Sequence, residues 1–367
     1  MTKVLVLHTS VGHGIKITAQ NIYTRLVKSG RFEARIEDFH EVQPGPLVRI
    51  LEIIYFFATE TAPWIWALLY TETVASLVIP LRMIPASFRY KKILAQIRAF
   101  QPDIVISTET VPTGVVAYLK RKNLYSGKLA VAFSDYHLHR FWLYDEVDLY
   151  LCNISEQATD IQAMGIPADK TAVTGMIVSE KYLKSVSRVS AAQRFALDPK
   201  KKSVVVSGGR RGLQASREIV EKLLKSPVPF QITVVTGKNE KLKKDLEAFA
   251  STPEHILQIL GYVTEQEILM SAADLVISKP GGPTIAEAVA KGLPVIVTDA
   301  HPGHEMKNML YLEHHNVAFH GKNPVEVVKL VEMILRGEIG HDKAAAFERI
   351  IKPKDSVELT QALKRLI

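Results

Sequence analysis

Short apolar runs alternate with longer amphipathic stretches from one end of the chain to the other. Residues 4–8, 104–107, 129–133 and 149–152 are apolar on successive positions, without the in-and-out alternation of a half-solvated strand. Such runs predict strands buried on both faces of a parallel sheet. A second series follows Asp198-Pro-Lys-Lys-Lys202, at 204–207, 231–236, 256–260, 275–278 and 295–298. Between the two series, residues 179–202 are polar and rich in serine and lysine, which predicts the domain boundary. The pattern gives an α/β chain of two doubly wound, Rossmann-like domains, 1–185 and 200–350. Residues 351–367 form a terminal helix, introduced by the capping-box-like Asp355-Ser-Val-Glu358. In folds of this kind the last helix often crosses back to the first domain. Ligands bind at the carboxyl ends of the strands, here in a central cleft faced by both domains.

The strand at 275–278 runs into Lys279-Pro-Gly-Gly-Pro283. A helix is predicted from Pro283, since proline suits the first helical position and Lys291-Gly292 makes a good stop. Glycines 281 and 282 clear side chains from the turn, so backbone N–H groups at the helix start can approach an anion, most simply a phosphate. Glu287, expected in the first turn, is placed to accept hydrogen bonds from vicinal hydroxyls such as those of a ribose. The alternative is a tight strand–helix connection that binds nothing. Farther on, Pro302-Gly303 forms another turn, followed by Glu305 and Asn308. Three residues apart, they share a helix face, and a carboxylate beside an amide suits a sugar.

Composition narrows the reading. With 367 residues, two domains are expected. Cys152 is the single cysteine, so an intramolecular disulfide and an all-cysteine metal site are excluded, and a reducing interior is expected. Met1-Thr-Lys-Val-Leu-Val-Leu7 lacks the shape of a signal peptide, and no uncharged apolar stretch reaches the ~20 residues that span a bilayer. The expected location is cytoplasmic. The formal net charge of +8 points to an acidic partner. Arg82, Arg89, Lys91, Lys92 and Arg98 occur with no acid between Glu72 and Asp103, after an aromatic stretch holding Trp64 and Trp66. Rings and aliphatics beside cations make a membrane-surface composition, and equally a helical layer with a solvated basic end. No basic-aromatic module for nucleic acid is recognisable.

The run Lys279-Pro-Gly-Gly-Pro-Thr-Ile-Ala-Glu287, then Gly292-Leu-Pro-Val-Ile296 and Pro302-Gly-His-Glu-Met-Lys-Asn308, resembles the processive diacylglycerol glucosyltransferases and monogalactosyldiacylglycerol synthases. Both are relatives of MurG with a GT-B fold. Gly261-Tyr-Val263, Gly237-Lys-Asn239, Ser134-Asp-Tyr-His-Leu-His-Arg-Phe-Trp142 and Thr9-Ser-Val-Gly-His-Gly14 extend the likeness over nearly the whole chain.

The resemblance implies a UDP-sugar donor site and a lipid acceptor, which favours the membrane reading of Trp64, Trp66, Arg82, Arg89, Lys91 and Lys92. It implies that Tyr262 and Val263 hold the uracil largely through backbone, that Gly237 belongs to the donor site, and that Glu287 holds the ribose. Pro280, Gly281, Gly282 and Thr284 would cradle the diphosphate, and Glu305 and Asn308 the sugar. A further glycine turn after a strand, Ser207-Gly-Gly-Arg-Arg-Gly212, matches the family's glycine-rich loop; Gly208 and Gly209 form it, and Arg210 or Arg211 would reach a phosphate. Amides and an arginine stabilise a departing diphosphate without a metal. Asp145-Glu-Val-Asp148 has the wrong spacing for the Asp-x-Asp pair of metal-dependent transferases, so neither metal nor cofactor is expected. In the family a histidine follows Gly-x-Gly; that position is Ile15 here, and the histidine lies between the glycines, as Gly12-His13-Gly14. His13 is the candidate base, with Asp135 as its orienter or replacement. The family's Gly-x-Pro-[Ile/Val]-Arg is altered to Gly175-Met-Ile-Val-Ser179. The expectation is an inverting, metal-independent transferase that moves a hexose to diacylglycerol at the inner membrane face. Rivals are N-acetylglucosaminyl transfer to a polyprenyl-linked acceptor, a UDP-N-acetylglucosamine 2-epimerase, and a non-catalytic UDP-sugar sensor.

Overall fold

The computed structural model describes residues 1–9, 13–42, 79, 83–209, 212–213, 215–301 and 303–367. Gly12, Trp64, Trp66, Arg82, Arg210 and Arg211 lie outside the described residues, as does the side chain of Arg89. The chain divides into two compact units, Met1–Ile177 with His301–His304 and Lys352–Ile367, and Val178–Ala300 with Glu305–Ile351.

The first unit holds a six-stranded sheet: β1 (Thr2–His8), β2 (Phe32–Asp38), β3 (Ile104–Ser107), β4 (Lys128–Ala132), β5 (Leu149–Cys152) and β6 (Thr171–Val173). Their spatial order is β2-β1-β3-β4-β5-β6, with every pair parallel. Successive side chains of a strand point to opposite faces. Leu5, Leu7, Val105, Leu129, Val131 and Tyr150 accordingly enter one core layer. Val4, Val6, Ile104, Ile106, Ala130, Ala132, Leu149 and Leu151 enter the other.

The second unit repeats the scheme with β7 (Ser203–Ser207), β8 (Phe230–Val235), β9 (His255–Leu260), β10 (Leu275–Ser278), β11 (Val295–Val297) and β12 (Phe319–His320). The order is β12-β11-β10-β7-β8-β9, again parallel throughout. Both sheets are doubly wound, since the chain leaves β1, or β7, toward one edge and returns to build toward the other.

Three strands carry no apolar run that the sequence could announce. β2 alternates charged and apolar residues along an edge, and β6 and β12 are only three and two residues long. The terminal helix is shorter than 351–367, spanning Leu359–Lys364. Its supposed capping box does not form: Glu358 is the cap residue without a side-chain bond, and Asp355 Oδ1 instead accepts from Ser155 Oγ at 2.8 Å. Leu359, Ala362 and Leu363 are buried in the first unit's core with Ala19, Ile22 and Leu26 of the helix His13–Lys28.

The boundary also falls earlier than the polar segment suggests. Residues from Val178 onward belong to the second unit and form two helices, Glu180–Leu183 and Arg188–Arg194. Several of their polar residues have partners. Arg188 donates to the carbonyls of Pro199 and Lys201 and to Asp274 Oδ2, the last at 2.8 Å.

Candidate active site

In a doubly wound sheet the loops on either side of the first strand diverge and leave a crevice at its carboxyl end. In the second unit that switch point lies between β7 and β10, whose last residues, Ser207 and Ser278, are opposite each other in register. Both glycine turns start there, so the sheet brings together two motifs that the chain keeps 71 positions apart. Gln266 Nε2 donates to Ser207 Oγ at 3.3 Å and ties a third element to the same spot.

The two turns use glycine for different reasons. A Cβ on Gly208 would lie 2.1 Å from the backbone of Gly212, so the loop folds too tightly on itself for any side chain. Gly209 (φ +72°) and Gly212 (φ +74°) adopt the left-handed conformation. Gly281, by contrast, has φ −80°, and a Cβ there would meet nothing within 4 Å. No fold requirement excludes a side chain at Gly281; what its absence leaves is open space over the start of the helix Gly282–Ala290. That helix runs as expected, with Lys291 at its C-cap and Gly292 left-handed (φ +68°). The positive dipole end of that helix lies at this turn. Pro280 is buried, and Thr284 is partly exposed in the first turn.

Glu287 lies in the second turn rather than the first, since the helix begins at Gly282. Its carboxyl is pushed up to about 7, by burial above all and also by the neighbouring Glu267, against the pull of a hydrogen bond from Tyr182 and the charge of Lys181. Burial, then Glu287 and Glu267, hold the Tyr182 phenol far above its ordinary value, so it stays a hydrogen-bond donor. Lys181 Nζ pairs with Glu267 Oε2 at 3.0 Å.

Glu305 and Asn308 do share one face of the helix His304–His314, and that face is buried. Asn308, fully buried, donates from Nδ2 to the carbonyl of Pro280 at 3.1 Å. Glu305 pairs with Lys279 Nζ at 2.8 Å. The helix thus braces the glycine turn from both of its leading residues, a structural service the sequence reading assigned wholly to sugar. Gly237 is left-handed (φ +63°) at the end of β8, and Gly261 follows β9 with its Cβ position 3.7 Å from the Gly237 carbonyl. Tyr262 extends from this pair of loops, 54% exposed, with Lys238 Nζ 5.8 Å from its ring centre. Val263 is partly exposed. An accessible aromatic face beside two glycine loops suits stacking of a flat ring.

The switch point of the first unit lies between β1 and β3. Gly14 and the exposed His13 open the helix that follows β1. Asp135 follows β4 in a held position: its carbonyl accepts from Asn153 Nδ2 at 3.0 Å and Gln157 Nε2 at 2.8 Å, and Ser134 Oγ is 3.2 Å from its carboxylate. One pair was not anticipated. His8 ends β1 opposite Asp38 of β2, both buried, with Nδ1 3.7 Å from Oδ2. A histidine ending an apolar strand was the available signal, but its partner lies in the unannounced edge strand. At the carboxyl end of β3, Glu109 caps the helix Thr110–Arg121 through Thr110 Oγ1 and Val111 N.

Asp148 is occupied structurally, by Lys120 and by Leu129 N at 2.8 Å. Among the described residues no group of three or more His, Cys, Asp and Glu side chains is arranged to hold a metal ion. Burial pushes the Cys152 thiol up to about 12, so it is an inert core group. Lys91, Lys92 and Arg98 are exposed on the helix Met83–Phe100, and Lys91, Arg98, Tyr90, Leu94 and Leu124 line a shallow hollow. No helix among the described residues is long and apolar enough to cross a membrane.

Known proteins match the two halves of the chain separately. Residues 19–178 match the monogalactosyldiacylglycerol (MGDG) synthase family, and residues 203–357 match the glycosyltransferase family 28 C-terminal domain. Processive diacylglycerol beta-glucosyltransferases are similar over most of their length. That of Bacillus cereus is 26% identical over 92% of this chain and 86% of its own, and that of Bacillus subtilis 26% over 92% and 87%. Among solved structures, Acinetobacter baumannii MurG superposes with a TM-score of 0.60 at 13% identity, covering 100% of this chain and 98% of its own. The spinosyn rhamnosyltransferase SpnG gives 0.62 at 14% identity, covering 99% and 100%. A UDP-GlcNAc 2-epimerase from Neisseria meningitidis also gives 0.60, at 14% identity, over 99% and 98%, so the fold alone does not choose the chemistry. The two family matches point to sugar transfer: an MGDG-synthase match is followed along the chain by a family 28 C-terminal match, on a GT-B fold.

Proposed function

We propose that the chain is an inverting hexosyltransferase that moves glucose or galactose from its UDP-sugar to diacylglycerol on a membrane surface. The observation that carries this is the convergence of two glycine turns and Glu287 at the β7–β10 switch point, in a domain of the family 28 type. The diphosphate would lie over Gly281 and Gly282, the ribose against Glu287, and the uracil beside Tyr262 and Val263. Glu305 would reach the sugar by leaving Lys279, whose ammonium is then released toward the diphosphate.

The acceptor side rests on the MGDG-synthase match and on the similar diacylglycerol glucosyltransferases. In a single in-line displacement the acceptor oxygen forms its bond to the sugar C1 as the bond to the diphosphate breaks. The electron pair leaves on UDP, where the amides at the helix start offset the growing charge. The acceptor proton passes to His13, with Asp135 as the alternative base. No step of this scheme calls on a metal or another cofactor. Lys91, Lys92 and Arg98 supply cations for anionic lipid, and the protein works at the inner face of the membrane without crossing it.

The test is transfer of labelled sugar from UDP-glucose, UDP-galactose and UDP-N-acetylglucosamine to membrane lipid, with chelator present. The expected product is a hexosyl diacylglycerol. His13→Ala is expected to lower turnover by about 10² to 10⁴ if His13 is the base. Retained turnover in that variant with loss in Asp135→Asn assigns the proton to Asp135. Binding of UDP with no transfer from any donor would reject the enzyme in favour of a sensor.

A further inference from the structure

Three neighbouring strands of the second unit finish in hydroxyls. Ser207 closes β7, Ser278 closes β10 and Thr236 follows β8, and all three are buried. Two of them are engaged. Ser207 Oγ accepts from Gln266 Nε2 at 3.3 Å, and Thr236 Oγ1 donates to the carbonyl of Leu260 at 3.1 Å. Ser278 differs: it is 0% exposed, and its Oγ has no hydrogen-bond partner among the described residues. Its carbonyl accepts from Thr298 N at 3.0 Å, so the backbone is committed to the sheet. A buried hydroxyl without a partner destabilises the fold that holds it, and alanine or valine would fill a buried strand end without that penalty.

Position narrows what the missing partner is. Leu275 and Ile277 turn toward the core layer that contains Ile219, Val220 and Leu223. Side chains alternate along a strand, so Ser278 points to the other face, as does Ser207 opposite it in register. Only Lys279 and Pro280 separate Ser278 from Gly281, where a Cβ would meet nothing within 4 Å. The nine-residue helix Gly282–Ala290 starts at once after it. The hydroxyl thus lies at the root of a turn that leads into a helix terminus favouring anions.

We propose that Ser278 is a binding residue for the donor's diphosphate: its hydroxyl, unsatisfied in the free protein, donates to a phosphate oxygen seated at the start of that helix. The inference rests on the reading of the Gly281-Gly282 turn as the donor site. Because Ser278 is covered, the ligand oxygen reaches it as the turn lifts. Two braces hold the turn, Asn308 Nδ2 on the Pro280 carbonyl at 3.1 Å and Lys279 Nζ on Glu305 Oε1 at 2.8 Å. The exchange proposed above for Lys279 and Glu305 opens the second brace as the donor binds. The phosphate then supplies the acceptor that the free protein lacks, and an ionised acceptor makes the stronger kind of hydrogen bond. The hydroxyl works against the free fold and for the complex, the reverse of a residue kept for packing.

Ser278→Ala tests this through two effects of opposite sign. Without ligand, its thermal unfolding midpoint should be no lower than that of wild type, since an unsatisfied group has been removed. Calorimetric titration of the full chain should show affinity lower by about tenfold for both UDP and UDP-glucose. Uridine, measured by displacement of UDP, should bind as it does to wild type. Ser203→Ala is the control, since Ser203 Oγ is likewise buried and without a partner among the described residues but begins β7, at the opposite end of the sheet. It should leave all three affinities unchanged. Wild-type affinity for UDP in Ser278→Ala overturns the inference. So does an equal loss for uridine, or an unfolding midpoint below wild type, because the hydroxyl would then serve the fold. In each of these cases wild type still binds UDP, and the donor reading stands. If wild type binds neither UDP nor UDP-glucose, the donor reading itself fails.

Discussion

The two units solve the same problem at the same place in the same kind of sheet, with different materials. At the β7–β10 switch point the working surface is backbone: two glycine turns, a helix start and a few side chains that brace them. At the carboxyl ends of β1, β2 and β4 the first unit instead presents side chains: the buried His8–Asp38 pair, the exposed His13 and the anchored Asp135. A diphosphate carries the same charge on every nucleotide sugar, and amides at a helix start recognise it without a particular side chain. Taking a proton from an alcohol requires one group with one pKa at one place. On the proposed function, a donor site can be written in glycines, whereas an acceptor site has to be written in residues whose meaning depends on neighbours.

Glycine substitutions probe the first half of that contrast most sharply. Gly281→Val has room for its Cβ and a backbone conformation valine accepts. It should leave the melting temperature within a few degrees of wild type while lowering kcat/KM for the donor by about 10² to 10³. Gly208→Val, forced against the Gly212 backbone, should yield little folded protein. Equal loss of stability in both variants would break the distinction between a glycine kept for ligand and one kept for the loop.

A second prediction concerns stability alone. Leu363→Ala removes a fully buried side chain from the first unit's core and should cost about 2–5 kcal/mol in chemical unfolding. An unchanged unfolding midpoint would mean the terminal helix is not part of that core. The smallest effect is expected at the surface. Lys91→Gln and Lys92→Gln should each weaken binding to anionic vesicles by about fivefold, from about 1 kcal/mol per cation near the lipid, and leave neutral vesicles unaffected. Identical losses on neutral vesicles would remove these lysines from the membrane surface.

Where the sequence was informative and where it was silent follows from the same physics. Strands buried on both faces must be apolar at every position, so β3, β5 and β10 are legible to the residue. An edge strand such as β2 alternates like a loop with a few apolar contacts, and a two-residue strand such as β12 has no pattern at all. The glycine turn and the helix stop at Lys291-Gly292 were legible because each depends on its own residues. Asn308 was not, since its place against the Pro280 carbonyl depends on how two distant segments pack. The segment 179–202 misled for a related reason. Its lysines and arginines look solvated, but Lys181 and Arg188 have carboxylate partners 86 positions downstream in each case, and Tyr182, Ala191 and Ala192 of the same segment are buried.

The packing of Leu359–Lys364 into the first unit carries a consequence for how the protein is made. During translation the first sheet leaves the ribosome long before the residues that complete one of its two core layers. At about 5–20 residues per second, roughly ten to forty seconds of synthesis separate Ile177 from the last helix. Throughout that interval the layer around Val4, Ala19 and Ile22 lacks its cover, and the nascent chain must either be held by a chaperone or wait partly folded until its end arrives.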